Sequence, residues 1–276
     1  MKSIGHYIAA IGLIILLIMG LAIASEVRLR KSDLTHTNIL SSDIRAEIQF
    51  GRDLAARILA SHPLLEDPAT QYYVNLVGNS VAIKAGRPEL KFYFGVLESK
   101  EINAFAVPGG YIFITSAALN LINNEAELAG ILGHEIGHIT AKHMVNELNI
   151  RGEDESTMAG LSAIIGGTTA SFREAFDQAL DKGIHILFQR GYKIEDELEA
   201  DQIGIILAAF SGYDPSGLKN FILRVNHFET PSKDYKGDHP THMVRVNAID
   251  EALKTNGINS INYFKGEKRF NETLAD

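Results

Sequence analysis

The sequence predicts an α+β domain, mainly helical, with a small antiparallel sheet beside its central helix and one further hydrophobic helix at the amino terminus. Three observations carry this expectation. An H-E-x-x-H pattern, His134 to His138, sits in an apolar segment of helical character from Ala129 to Ile139. Short β-prone runs lie just upstream, between Lys91 and Thr115, and an uncharged run of Ile, Leu, Ala and Gly fills most of Tyr7 to Ala24.

Length and composition narrow the function before any motif is used. A chain of 276 residues suits one or at most two domains with a real core. The formal net charge of -8 and the lack of a Lys/Arg stripe interleaved with aromatics argue against nucleic acid as a partner. No cysteine is present, which excludes disulfides, thiolate zinc sites, a cysteine nucleophile and a lipidated cysteine.

Residues 1–24 read as a signal peptide or a transmembrane anchor. The run is long enough to span a bilayer with help from its flanks, and Ala22-Ile23-Ala24 resembles a small-x-small cleavage site. Arg28, Arg30 and Lys31 favour a cytoplasmic orientation by the positive-inside rule. Large domains cross despite a modest bias, so the expectation is an exported domain, in the periplasm or tethered to the inner membrane. A cytoplasmic-facing orientation is the alternative. Residues 25–41 are a polar linker, and 42–276 are the folded domain. Within it, Asp43 to Ala60 and Pro68 to Ala85 are amphipathic, and Glu47, Asp53 and His62 are read as structural or solvated.

Lys91 to Leu97, Asn103 to Val107 and Tyr111 to Thr115 have strand composition, with Gly109-Gly110 turning the chain between the last two. The helix after them begins at Asn124, a good N-cap, with Glu127 three residues on as its capping-box partner. Apolar residues at Ala126, Leu128, Ala129, Ile131, Leu132, Ile136 and Ile139 are too many for one surface stripe, so this helix is expected to be buried. Gly130, Gly133 and Gly137 each cost about 1 kcal/mol against Ala inside a helix. Close approach of a second backbone would explain them.

Side chains four apart share a helix face, so His134 and His138 can offer two imidazole nitrogens to one Zn²⁺ while Glu135 stands beside them as a general base. Such a site needs a third protein ligand. His143 lies five residues past His138, about 140° around a continuous helix, and is expected to point away as a surface residue. The better donor is in Glu195 to Phe210, whose acidic start suits a helix amino terminus. There Glu197 and Asp201 share a face, whereas Glu199 is about 200° from Glu197 and should project elsewhere. Glu197 can thus serve as the third ligand, with Asp201 accepting a hydrogen bond from a ligating histidine; the alternative is an acidic but solvated first turn. Gly204, on the same side, would let the two helices pack closely. An exposed sheet edge next to such a site can hold an extended peptide by backbone hydrogen bonds alone. Asn103 to Thr115 is the candidate edge, with Asn103, Ala104, Phe105, Ala106, Gly109 and Gly110 as candidate substrate-binding residues; the alternative is an ordinary core hairpin.

Taken in order, Asn103 to Thr115, His134 to His138, Glu197 to Asp201, Gly212-Tyr213-Asp214-Pro215 and His239-Pro240 with Arg245 resemble the membrane-associated gluzincin zinc metallopeptidases, the family of BepA, HtpX, the mitochondrial Oma protease and the CAAX prenyl proteases. The resemblance is nearest to the BepA-like peptidase domain. It implies one zinc ion per chain, held by His134, His138 and Glu197, with Glu135 as the base. In that branch the histidine of H-P-x-x-x-x-R approaches the metal or steadies the oxyanion, which assigns His239 and Arg245 those roles. Read without the resemblance, His239 could be a helix-start residue, and His242 is the same type three positions on. Lys193-Ile194 stands where the family often has Ser-Arg. Neither a repeat region nor several membrane spans is visible.

The expected function is therefore a zinc metalloendopeptidase acting on unfolded or misassembled proteins of the cell envelope. The alternative is a chaperone or assembly factor whose zinc site is held shut by His239. Met158 to Ala170, small and glycine-rich, is read as a flap, a membrane-touching segment or a buried helix.

Overall fold

The computed structural model describes residues 41–152, 170–228, 241–258 and 263–274. The apolar run at 1–24, nearly all of the linker, Met158 to Thr169 and His239 lie outside these ranges. Helix α1 spans Ser41–Ser61 and α2 Pro68–Ala82. Strands β1 (Tyr93–Leu97), β2 (Ala104–Val107) and β3 (Tyr111–Thr115) follow, then the short α3 (Ser116–Leu119) and the central α4 (Glu125–Thr140). Beyond it come α5 (His143–Glu147), α6 (Ala170–His185), a wide π-type turn at Ile186–Arg190 and α7 (Ile194–Phe210). Last are α8 (Gly217–Phe228), α9 (His242–Thr255) and α10 (Glu267–Leu274). Among the described residues no helix is long and apolar enough to cross a membrane.

The sheet corrects the expectation of an all-antiparallel one. Its order is β1-β3-β2: β3 is central, antiparallel to β2 from Ala104↔Ile114 to Val107↔Tyr111 and parallel to β1 from Tyr93↔Tyr111 to Leu97↔Thr115. The turn at Pro108 to Gly110 marks the β2–β3 hairpin, but nothing local says that β3 inserts between its two predecessors. Once it does, two chain reversals leave it running with β1. Among the described residues β2, and not the whole stretch from Asn103 to Thr115, presents a free edge beside α4.

Period-two alternation divides the core across the sheet. Phe94, Val96, Ala106, Ile112 and Ile114 face α2 and α4, whereas Leu97, Phe105, Val107 and Phe113 face α1, α5 and α6. Helix α4 lies so deep that every residue from Glu125 to Ile139 is buried. Asn124 caps it through Glu127 N–H (3.0 Å), and the Glu127 carboxylate reaches one residue further back, to Asn123 N–H (2.9 Å). At the other end Arg87 donates to the Ile139 carbonyl (2.6 Å) while paired with Glu47 (2.8 Å), adding a charged donor to a last-turn carbonyl that also accepts from Lys142 N–H (3.2 Å).

The glycines of α4 have the partner the sequence asked for. A Cβ on Gly133 would meet Gly204 O at 2.8 Å, one on Gly137 would meet Ala200 O at 2.9 Å, and one on Gly204 would meet the His134 nitrogen at 2.7 Å. Helices α4 and α7 thus touch backbone to backbone along the face that carries the histidines. Three interior glycines cost about 3 kcal/mol in helix propensity. Fully burying Leu128, Leu132 and Ile136 returns about 1.5–3 kcal/mol each, which outweighs that cost.

The start of α4 is pinned by the end of the chain. Glu125, 1% exposed, accepts hydrogen bonds from Tyr73 Oη (2.7 Å), Tyr213 Oη (2.7 Å) and Arg269 Nε (2.5 Å) of α10. Burial pushes this carboxyl up, but the Arg269 guanidinium and the two hydroxyls outweigh burial and hold it below the usual range. A depressed folded-state pKa gives stability that is present above the unfolded pKa, about 4.3, and is lost as pH falls through the folded value. Wild type is expected to lose urea resistance between pH 5 and 3 more steeply than Glu125→Gln, which is weaker at pH 7 but lacks this component. Equal slopes in urea melts across that range would remove Glu125 from the acid response.

Candidate metal centre

Helices α4 and α7 each supply part of the centre because their glycine faces bring the two backbones together. His134 and His138, one turn apart on α4, turn their Nε2 atoms towards each other at 3.1 Å. From α7, Glu197 sets Oε2 at 3.6 Å from His134 Nε2 and Oε1 at 3.7 Å from His138 Nε2. All three residues are buried, and their donor atoms lie within 4.8 Å of one another. Donors about 2.0–2.2 Å from a tetrahedral ion stand about 3.3–3.6 Å apart, so this spacing fits one such ion. Two imidazoles and a carboxylate are also the donor set of sites that keep a position open for water.

Asp201, one turn beyond Glu197, lies 2.8 Å from His134 Nδ1 and fixes the tautomer that leaves Nε2 free to ligate. Arg245 of α9 grips the same carboxylate with Nε (2.9 Å) and Nη2 (2.6 Å), and its Nη1 is 3.3 Å from Glu197 Oε2. Burial alone would raise the Asp201 pKa, yet the Arg245 charge and the hydrogen bonds from Arg245 and His134 hold it down at about 2. Arg245 therefore bridges the Asp201 and Glu197 carboxylates and also lines the cleft.

Glu135, 5% exposed, faces the cleft. Burial pushes its carboxyl up to about 7; His134 opposes this and Glu197 adds to it. The cleft has a volume of about 440 Å³. Glu101 to Phe105 form one wall, Ile131, Leu218, Phe221, Ile222 and Val225 another, and Phe188, Gln189, Gly191 and Tyr192 the rim. Asn103, Ala104 and Phe105 thus border the site, and β2 has no strand partner on its outer side among the described residues. Ala106 is buried in the core, and Gly109 and Gly110 form a tight turn on α1, outside the cleft lining. Gly109 has φ 77, and a Cβ there would approach Ile48 Cα to 2.9 Å.

His143 corrects the sequence expectation. It is not a surface residue pointing away but 5% exposed, with Nδ1 2.8 Å from His138 Nδ1. The helical projection fails because α4 ends at Thr140 and Lys142 adopts a left-handed conformation (φ 60, ψ 34), which swings the next residue back. No glycine or proline marks that break. Tyr192 was also missed: its ring stacks on His138 at 4.3 Å with 21° between planes. Gly191, with φ 73, was the available signal of a turn there.

Two histidines and a glutamate from two closely packed helices, with a second glutamate in the same cleft as an open edge strand, define a metallopeptidase type of centre. The chain belongs to peptidase family M48, which its residues 68–253 match and whose members are metal-dependent. It is 32% identical over 194 residues to the beta-barrel assembly-enhancing protease of Yersinia pestis, covering 66% of this chain and 38% of that protein. The protein of the same name from Escherichia coli K12 is 29% identical over 195 residues, 65% of this chain and 37% of its own length. With the mitochondrial metalloendopeptidase OMA1 of Schizosaccharomyces pombe the identity is 27% over 189 residues, 67% of this chain and 53% of the relative. The matched part of the chain thus spans about two fifths of the bacterial relatives.

Proposed function

We propose that this chain is a zinc-dependent metalloendopeptidase that cleaves unfolded or misassembled proteins in cell-envelope quality control. The observation that carries the reading is the buried His134-His138-Glu197 donor set with the Glu135 carboxyl beside it, both facing a cleft walled by the end of an edge strand. An envelope setting is supported by the apolar run at 7–24, as a signal or an anchor, and by the names of the bacterial relatives.

Bound by His134, His138 and Glu197, zinc would supply a Lewis acid that polarises a carbonyl and makes water acidic enough to attack near neutral pH. The chain's own residues do the rest. Glu135 takes the attacking water's proton on its carboxylate and returns it to the leaving amine nitrogen. Asp201 holds His134 in the ligating tautomer, while Arg245 holds Asp201 and Glu197 in place by charge. The outer edge of β2, at Ala104 and Ala106, offers N–H and C=O groups to an extended substrate, since those of Asn103 are turned to Thr115 of β3. Gly109 and Gly110 contribute by shaping the turn that ends this edge. A role for His239 in steadying the oxyanion rests on the resemblance.

The purified chain is expected to cleave an unfolded protein, to lose this activity in 1,10-phenanthroline, and to regain it when the chelator is removed and one equivalent of Zn²⁺ is added. Activity that survives complete removal of metal, verified by elemental analysis, would overturn the reading. Full zinc content without cleavage, relieved by His239→Ala, would instead support the assembly factor with a shut site.

A further inference from the structure

His138 meets His134 and Glu197 through Nε2, and its other ring nitrogen leads away from them into a second line of groups. Nδ1 lies 2.8 Å from Nδ1 of His143, and Nε2 of His143 lies 3.3 Å from Glu199 Oε2 and 3.7 Å from Asp196 Oδ1. The direction of each bond follows from the one before. A neutral imidazole that gives its Nε2 lone pair to a metal carries its hydrogen on Nδ1, so His138 donates and His143 accepts. His143 then carries its own hydrogen on Nε2, facing the two carboxylates. On the other side of the centre, Asp201 does for His134 in one step what this line does for His138 in two.

Two features set this line apart from a chance contact. Lys142 holds a left-handed conformation, which costs a non-glycine residue about 1–2 kcal/mol, and that conformation returns His143 to the site. Glu199 points off the Glu197 face of α7 and meets His143 instead, so the line joins α5 to α7. Tyr192 closes the arrangement by stacking on His138 and standing 5.9 Å from the His143 ring.

We propose that His143, backed by Glu199 and Asp196, is a positioning residue of the metal centre that fixes the tautomer and ring orientation of His138. This rests on the metallopeptidase reading above. Such outer partners typically change metal affinity about 10–100-fold when removed.

The test uses the full chain and three variants: His143→Phe, which keeps an aromatic ring beside Tyr192 but accepts no hydrogen bond; His143→Asn, whose carbonyl can replace Nδ1; and the double variant Asp196→Ala/Glu199→Ala, which leaves His143 Nε2 without either side-chain acceptor. Zinc dissociation constants are measured against a chromophoric chelator, and the visible bands of the Co²⁺-loaded proteins are recorded beside their melting temperatures. The expected result is about 10–100-fold weaker zinc binding in His143→Phe with altered Co²⁺ bands, partial recovery in His143→Asn, and a smaller loss in the double variant. Glu199 and Asp196 are 59% and 27% exposed, so the double variant decides the matter if His143→Phe does not fold. Wild-type affinity and unchanged Co²⁺ bands in the folded variants overturn the proposal while the metal site stands. Wild type that binds neither Zn²⁺ nor Co²⁺ overturns both.

Discussion

Glu135→Gln is expected to retain zinc at wild-type stoichiometry and to cleave an unfolded protein at least 10²-fold more slowly, with about 10⁴-fold as the upper range for removing a general base. The substitution keeps size and shape and leaves every donor atom of His134, His138 and Glu197 in place. It exchanges one carboxylate oxygen for an NH₂ and so removes the basic group that can take and return a proton. Glu135 is 5% exposed, so a neutral amide in its place also relieves the burial of a carboxyl that burial pushes up to about 7. The variant should therefore be at least as heat-stable as wild type while nearly inactive. Loss of zinc together with activity would make Glu135 a ligand or a structural residue instead of a base. Both quantities come from one preparation, by metal analysis and by the rate of substrate loss.

The second large effect is expected at the helix contact. Alanine in a helix interior is favoured over glycine by about 1 kcal/mol, so propensity alone predicts that Gly204→Ala stabilises. The geometry predicts the opposite. The new Cβ would stand 2.7 Å from the His134 nitrogen and 2.9 Å from its Cα, and backbone atoms of a buried helix cannot swing aside as a flexible side chain does. Relief requires separating α7 from α4, which draws Glu197 and Asp201 away from the histidines. Overpacking costs of about 1–3 kcal/mol, sometimes more, exceed the propensity gain. A net loss of about 1–2 kcal/mol lowers the melting temperature of a domain of this size by about 2–8 °C. Zinc affinity should fall as well. A variant that melts at or above wild type with unchanged zinc binding would show that the contact yields freely.

How much of this was legible in the sequence depended on whether the signal was local. The grouping of His134, His138, Glu197 and Asp201 was, because a helix places i and i+4 on one face, and both His134/His138 and Glu197/Asp201 use that spacing. The buried helix, its Asn124 cap and the close approach at its glycines were legible for the same reason. The strand order was not: hairpin chemistry between Val107 and Tyr111 says that two strands pair, but where β1 joins depends on packing against α2 and α4. His143 was misread because a helical projection holds only while the helix continues. An ordinary Lys142 in a left-handed conformation leaves no mark in the sequence. Arg245 was picked out by resemblance to a motif, yet its contact with Asp201 and Glu197 joins helices more than forty residues apart. Only the fold brings these together.

The free edge of β2 has a consequence for how such an enzyme would choose what to cut. Main-chain hydrogen bonds recognise a segment that is extended and unpaired, whatever side chains it carries. Under the proposed function, selection would then act on the substrate's own opening equilibrium. A folded protein stable by about 5–15 kcal/mol exposes a globally unfolded segment in fewer than one molecule in a thousand, whereas a stalled or orphaned chain exposes it continuously. The cleft would measure the lifetime of disorder, and a healthy neighbour would escape because its strands are already paired.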